Sequence, residues 1–300
     1  MRQIDETMFH ELLKGKLSPI LEAVKRDDTL DLELRGESVN VYYRGGSLFK
    51  ITNNNGKLDI YFNPQYCIAE ENQLTSPKNA EEAVANIPFY KQAMDFWFHK
   101  HPKYEREFQQ LIVRENNNTG NIARGTDYFI IDIEYADTLE KKSKYKSYGA
   151  RFDIVALKWQ SNGASRKSSK NVTLSLIEVK YGDGALKNDA GVKKHLDDFN
   201  KFLSDKEKFK ELCDDMAVVF KQKCSLGLID GIKEHQLKDF SINCQSPEVI
   251  FIFANHDPDS KVLDGIFSDT DLKKYPFPVM IANSSNMGYC LYTDRMKRLN

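Results

Sequence analysis

Arg151-Phe152-Asp153-Ile154-Val155-Ala156 and, further along the chain, Leu176-Ile177-Glu178-Val179-Lys180-Tyr181 are the two stretches that set the fold class. Both are apolar runs of strand length, rich in β-branched and aromatic residues. Each is interrupted where a strand interior should stay apolar, by Asp153 in the first and by Glu178 and Lys180 in the second. Alternate residues of a strand share a face, so Glu178 and Lys180 point the same way. A buried charge without a partner or a metal ion is costly. Three ionisable groups at strand centres therefore imply a use for them.

An apolar strand from Tyr128 to Ala136 precedes the Asp153 strand, which spans about 150–159. A polar connector rich in lysine (Lys141, Lys142, Lys144, Lys146) joins the two. A Ser/Lys/Gly loop over 160–171 leads into the third strand, Val172–Tyr181, and a glycine turn, Gly182-Asp183-Gly184, ends it. A helix near 189–204 follows, with Val192, Leu196, Phe199, Phe202 and Leu203 on one face. Residues 249–254 form a continuous apolar run, as expected of a strand buried on both faces, and 278–292 holds further strand-like sequence. Upstream, 103–115 reads as a helix carrying Tyr104, Phe108, Leu111 and Ile112 on one face. The order is α-β-β-β-α-(insert)-β, which a mixed sheet flanked by helices satisfies.

The N-terminal part reads differently. A helical pattern (Met8, Leu12, Leu13, Ile20, Leu21, Val24) is broken near Gly15 and Pro19. Short alternating runs follow at 30–34, 39–43, 48–51 and 58–62, separated by Arg35-Gly36-Glu37, Gly45-Gly46 and Asn53-Asn54-Asn55-Gly56. Period two with such turn residues predicts an antiparallel meander. Residues 78–101 read as helix with an interruption at Pro88. The expected class is α/β (α+β), with an accessory helix-and-meander region over 1–102 and a core with a C-terminal extension over 103–300.

The bulk properties bound the function. The 300 residues are 41% hydrophobic and 29% charged, with a net charge of −1. That charge neither announces nor excludes nucleic acid, because sequence-independent affinity comes from local Lys/Arg patches. No stretch approaches a membrane span, and the first residues lack an apolar signal-peptide core, so a cytoplasmic location is expected. Five widely spaced cysteines with no CxxC argue against a disulfide framework or a zinc cluster. No GxxxxGK[ST] phosphate loop occurs.

Asp153, a spacer, and Glu178-Val179-Lys180 on the next strand, within an αβββαβ order, resemble the PD-(D/E)XK nuclease superfamily, the restriction-endonuclease-like fold. The resemblance covers roughly 103–255 and points to no subfamily. The proline that often precedes the family's aspartate is replaced by Phe152. The resemblance implies that Asp153 and Glu178 ligate Mg²⁺ (or Mn²⁺), that Lys180 positions or activates the attacking water, and that the substrate is DNA, with RNA as the alternative. Two carboxylates suffice for Mg²⁺, which keeps several of its waters. Double-strand cleavage by a single-site enzyme would favour a homodimer.

Further site candidates follow from position. Asp132 and Glu134 share one strand face: either Glu134 joins the acidic cluster or binds a second metal, or both are edge-facing carboxylates paired with the lysine connector or Arg151. Among Glu105, Glu107 and Glu115 on the first helix, Glu107 lies at the border of the apolar face and can reach past it. His195 falls on the apolar face of the helix after the motif, as a boundary histidine or as a contact to the scissile phosphate. Lys193 and Lys194, and Arg166 and Lys167 in the basic loop 165–170, are candidates for the nucleic-acid backbone. His99-Lys100-His101 is weak as a zinc signal, and Asn255-His256-Asp257-Pro258-Asp259 reads as a turn. The leading expectation is a metal-dependent nuclease. The alternatives are a catalytically silent member of the fold that binds nucleic acid or a protein partner, and an unrelated α/β protein with a structural Glu178–Lys180 pair.

Overall fold

The computed structural model describes all residues except 55, 68–73, 119–124, 137–150, 187–190, 258, 260 and 269, and the side chain of Asp264. The lysine-rich connector therefore lies outside the described residues, as do Asn55 and Pro258. The chain is mixed α/β and divides into two compact units, Met1–Asn118 with Val218–Asp230, and Thr119–Ala217 with Gly231–Asn300. No helix among the described residues is long and apolar enough to cross a membrane.

The first unit holds α1 (Glu6–Leu13), α2 (Ser18–Arg26), a four-stranded antiparallel sheet, α3 (Ala80–Lys100) and α4 (Tyr104–Asn117). The sheet is the expected meander, with β1 (Leu30–Leu34), β2 (Ser38–Tyr43), β3 (Gly46–Asn54) and β4 (Lys57–Tyr61) paired in chain order. The break near Gly15 and Pro19 falls between α1 and α2, where Pro19 occupies the first turn of α2. That turn has no amide partner to lose. Pro88 does not interrupt α3, which runs on through it. The missing amide costs about 3 kcal/mol. The buried stripe Ala83, Ile87, Tyr90, Met94 and Phe98, with the Asn79 cap on Glu82, outweighs that cost.

The β2–β3 turn is Arg44-Gly45, both with positive φ (49° and 72°). A Cβ on Gly45 would lie 2.5 Å from Arg106 Cβ and 2.6 Å from Glu107 N, so α4 approaches too closely for any side chain there. Arg44 is a poor residue for this turn. Its guanidinium is held by Asp95 at 2.8 Å and Glu107 at 2.9 Å. Glu33 on β1 and Lys223 form a wholly buried ion pair at 2.6 Å. Removing one partner of such a pair costs roughly 3–5 kcal/mol.

The second unit is built on a six-stranded mixed sheet in the order β10-β9-β8-β7-β6-β5. Its strands are β5 (Tyr128–Ala136), β6 (Arg151–Lys158), β7 (Val172–Tyr181), β8 (Ile242–Ala254), β9 (Val279–Asn283) and β10 (Lys297–Arg298). β5, β6 and β7 are antiparallel neighbours, β7, β8 and β9 run parallel, and β10 returns antiparallel. The β7-to-β8 crossover carries α5 (Val192–Ser204), α6 (Lys206–Leu226) and α7 (Glu234–Lys238). Residues of α6 from Val218 onward count with the first unit. Later come α8 (Val262–Ser268) and α9 (Ser284–Met287). Phe199 of α5 packs on Phe152 of β6 and Phe251 of β8, with ring centroids 5.1 and 6.2 Å away. Burying each such side chain contributes about 1.5–3 kcal/mol.

A buried polar network ties four strands together. Glu248 of β8 accepts from Ser175 Oγ of β7 (2.8 Å), Tyr128 OH of β5 (2.9 Å) and Lys158 Nζ of β6 (2.7 Å). Its carboxylate has donors from three strands, which is the condition for a buried charge to be tolerated.

Asp127, just before β5, accepts from the Ser161 and Thr293 amides, each at 2.8 Å. Burial pushes its carboxyl up, but these donors outweigh burial and hold it below the usual carboxylate range. A depressed folded pKa gives stability that is full above about pH 4 and is lost as pH falls through the folded value. Asp127→Ala should therefore cost roughly 1–2 kcal/mol at neutral pH in urea denaturation. The gap from wild type should shrink toward about pH 3. A gap that stays constant over that range would contradict the assignment.

Candidate functional site

Glu178 and Lys180 stand near the C-terminal end of β7, in a strand buried without a break from Leu174 to Lys180. Only 4% of Glu178 and 3% of Lys180 is exposed. Their shared face follows from strand alternation, and Lys180 Nζ donates to Glu178 Oε1 at 2.7 Å. Across the parallel ladder they stand beside Phe251 and Phe253 of β8, so their surroundings are apolar.

Asp153 reaches the same place from β6. The β6–β7 ladder ends at Ile154↔Ile177, although both strands continue past it. There the Asp153 side chain takes over from the backbone, and Oδ2 accepts from Val179 N at 2.8 Å. The Asp153 carboxylate is thereby fixed against the residue between Glu178 and Lys180.

Glu134 of β5 falls in the same gap. The β5–β6 pairs on either side are Ile133↔Ile154 and Tyr135↔Phe152, which leaves Glu134 and Asp153 between them. Glu134 has φ 51°, in the left-handed region. That backbone costs a non-glycine residue about 1–2 kcal/mol and tends to mark functional sites. Asp132, its expected partner on the strand face, is buried.

His195 of α5 completes the group. Its Nε2 lies 3.1 Å from Glu178 Oε1, the oxygen that also accepts from Lys180. Burial, reinforced by the Lys180 ammonium, pulls the imidazole down to about 4. It is neutral at physiological pH, so its Nε2–H donates to the carboxylate. His195 thus touches the motif and is not merely a packed boundary histidine.

A second histidine stands at this end of the sheet. His256 follows β8, in the segment read as a turn, and its Nδ1–H donates to Asp183 Oδ1 at 2.7 Å. Its Nε2 is buried and has no hydrogen-bond partner among the described residues. Asp183 lies in the glycine turn after β7. Polar residues in short turns carry no periodicity, so neither could be singled out. The single legible sign was their place immediately after two buried parallel strands.

Comparison with protein-family models, curated proteins and solved structures found no match.

Glu107 belongs to α4 of the first unit, where Arg44 holds it. It borders a cavity of about 730 Å³ there, whose lining mixes Lys25, Arg44 and Arg114 with Asp28, Asp31 and Asp230. Glu115 pairs with its neighbour Arg114 at 2.7 Å, and Glu105 lies on the same helix. Lys194 pairs with Asp198 one turn along α5, whereas Lys193 is exposed. His101 stacks on Trp97 at 4.5 Å and His99 is exposed, so the HxH pair does not form a ligand set. Arg166 and Lys167 lie in the β6–β7 hairpin connection.

Asp153 and Glu178 are the hard-oxygen donors that a divalent ion would use here. Among the described residues no group of three His, Cys, Asp or Glu forms a ready-made metal cage. Mg²⁺ needs none, since it is commonly held by one or two carboxylates together with water and substrate oxygens.

The left-handed backbone at Glu134 gives a direct test. Glu134→Gly should keep or raise the melting temperature, because glycine adopts this φ freely. Glu134→Ile should destabilise by about 1–2 kcal/mol. Equal melting temperatures for the two variants would contradict the strained geometry.

Proposed function

We propose that the second unit is a metal-dependent nuclease of the PD-(D/E)XK, restriction-endonuclease-like type, hydrolysing DNA phosphodiester bonds at Asp153, Glu178 and Lys180. The observation that carries this reading is the buried Lys180 ammonium held on Glu178, with Asp153 bonded to the amide between them. Three features support it. The three-stranded antiparallel run β5–β6–β7 is continued by a parallel β8 after α5, as such a core requires. The strand ladder gives way at Asp153. A non-glycine residue with positive φ stands opposite it.

Asp153 and Glu178 would hold Mg²⁺ (or Mn²⁺). When bound, such an ion lowers the pKa of its water and neutralises phosphate charge. Lys180 presents an ammonium that can orient the water and balance charge developing on the phosphate oxygens. The neutral His195 donates to Glu178 and fixes that carboxylate's orientation, as an outer hydrogen-bond partner does for a ligand. Apolar neighbours Phe251 and Phe253 keep the dielectric low, which strengthens each of these interactions.

Purified full-length protein with Mn²⁺ should nick supercoiled plasmid or degrade linear or single-stranded DNA, and EDTA should stop it. Lys180→Met should lose roughly 10²–10⁴-fold in rate, with circular dichroism confirming that it still folds. If the wild type is as inert as Lys180→Met on all three DNAs and on RNA, the nuclease reading fails.

A further inference from the structure

The β6–β7 hairpin connection is not a plain solvated loop. At the end of β6 remote from Asp153 lies a pocket of about 610 Å³, lined by Arg166, Lys167, Lys233, His235, Gln236 and Ser161, with glycines completing the wall. Its volume is in the range of small-ligand sites. Three lining side chains are cations and no carboxylate lines it.

Arg166 gives the pocket its character. It is half-buried and lies over two aromatic rings, Phe129 at 4.4 Å and Trp159 at 5.3 Å. Its Nε donates to Gln160 O at 3.0 Å and its Nη2 to Thr126 O at 2.9 Å. These contacts fix the plane of the guanidinium, and among the described residues no carboxylate pairs with it. Asp127 is the acid it senses, but that carboxylate is spent on Ser161 and Thr293. Burial draws the guanidinium down to about 10. It stays charged at neutral pH, so a half-buried positive charge has no carboxylate partner among the described residues. Such groups are normally paired.

The opposite wall is fixed as well. Gln236 Nε2 donates to Arg166 O at 2.9 Å, and its Oε1 accepts from Lys233 N at 2.9 Å. Ser241 N donates to Ser169 O, and Ser241 Oγ accepts from Asn171 N, each at 3.0 Å. A Cβ on Gly125 would lie 2.4 Å from Ser161 Cβ, so the backbone closes tightly on that side. The segment 231–241 and the hairpin therefore form a built recess and not a chance cluster of surface lysines.

We propose that this pocket binds the phosphate monoester of a phosphate-bearing ligand, with Arg166 as the fixed donor and Lys167 and Lys233 as flanking charges. A planar guanidinium with a locked orientation suits a phosphate oxyanion. Cations from two separate segments suit the dianion of a monoester better than a single-charged diester. The ligand is either a small phosphorylated molecule or the phosphorylated end of a nucleic-acid strand. The pocket lies about 20 Å along β6 from Asp153, six residues at the rise of a strand, so it is separate from the candidate catalytic group. The inference does not depend on nuclease activity.

The test uses full-length protein in EDTA at low ionic strength. Calorimetry would follow inorganic phosphate, and fluorescence anisotropy would follow a short deoxyoligonucleotide with and without a 5′-phosphate. Saturable phosphate binding is expected. Lys167→Ala/Lys233→Ala should weaken it at least about tenfold, or 1.4 kcal/mol. These two side chains are exposed, so the variant should fold normally. Arg166→Lys, which keeps a charge but loses the planar fork, should weaken it as well, and Lys180→Met should leave it unchanged. Tighter binding of the 5′-phosphorylated oligonucleotide than of its unphosphorylated form identifies a strand end as the source. Phosphate binding without that preference identifies a small ligand. No saturable phosphate binding, or binding unchanged in Lys167→Ala/Lys233→Ala, overturns the proposal.

Discussion

The contact between Lys180 and Glu178 is the constraint around which the second unit is organised. A strand buried on both faces cannot carry two charges unless each is met by the other and by hydrogen bonds. Glu178 meets the condition by accepting from Lys180 and His195. His195 can serve because burial and the lysine charge keep it neutral. Its position in turn depends on α5, which packs Phe199 between Phe152 and Phe251. The helix, three strands and the ion pair are thus one arrangement.

Glu248 provides an informative contrast. It too is a buried carboxylate on the central sheet, but its donors come from β5, β6 and β7 and saturate it. It acts as a cross-strand clamp. Around Glu178 the sheet behaves differently: the β6–β7 ladder stops, Asp153 substitutes a side chain for a backbone acceptor, and Glu134 adopts a costly conformation. Irregularity concentrated on one group of acids is what marks them as a candidate site.

Much of this was legible in the sequence because strand period and burial leave a clear pattern. The meander of the first unit, the two strands carrying Asp153, Glu178 and Lys180, and the apolar face of α5 all follow from alternation or helical phase. β8 begins at Ile242, ahead of the apolar run at 249–254, because Asn243, Gln245 and Ser246 hide its first half. Periodicity reports that a face is buried, but not what buries it. α4 shows a good amphipathic pattern, yet it counts with the first unit, where Glu107 is held by an arginine 63 residues away. In the sequence Arg166 is one more cation of a basic loop, and only the packing on Phe129 and Trp159 sets it apart. The Asp183–His256 pair joins two turns that are neighbours solely because β7 and β8 are parallel.

On the proposed reading, Asp153 and Glu178 form one divalent-cation site. Calorimetric titration of the full chain with Mn²⁺ tests it most directly, without requiring the substrate to be known. One saturable site is expected in the wild type, weakened roughly 10–100-fold in both Asp153→Asn and Glu178→Gln. A wild type that binds no Mn²⁺, or equal binding in all three proteins, would contradict it.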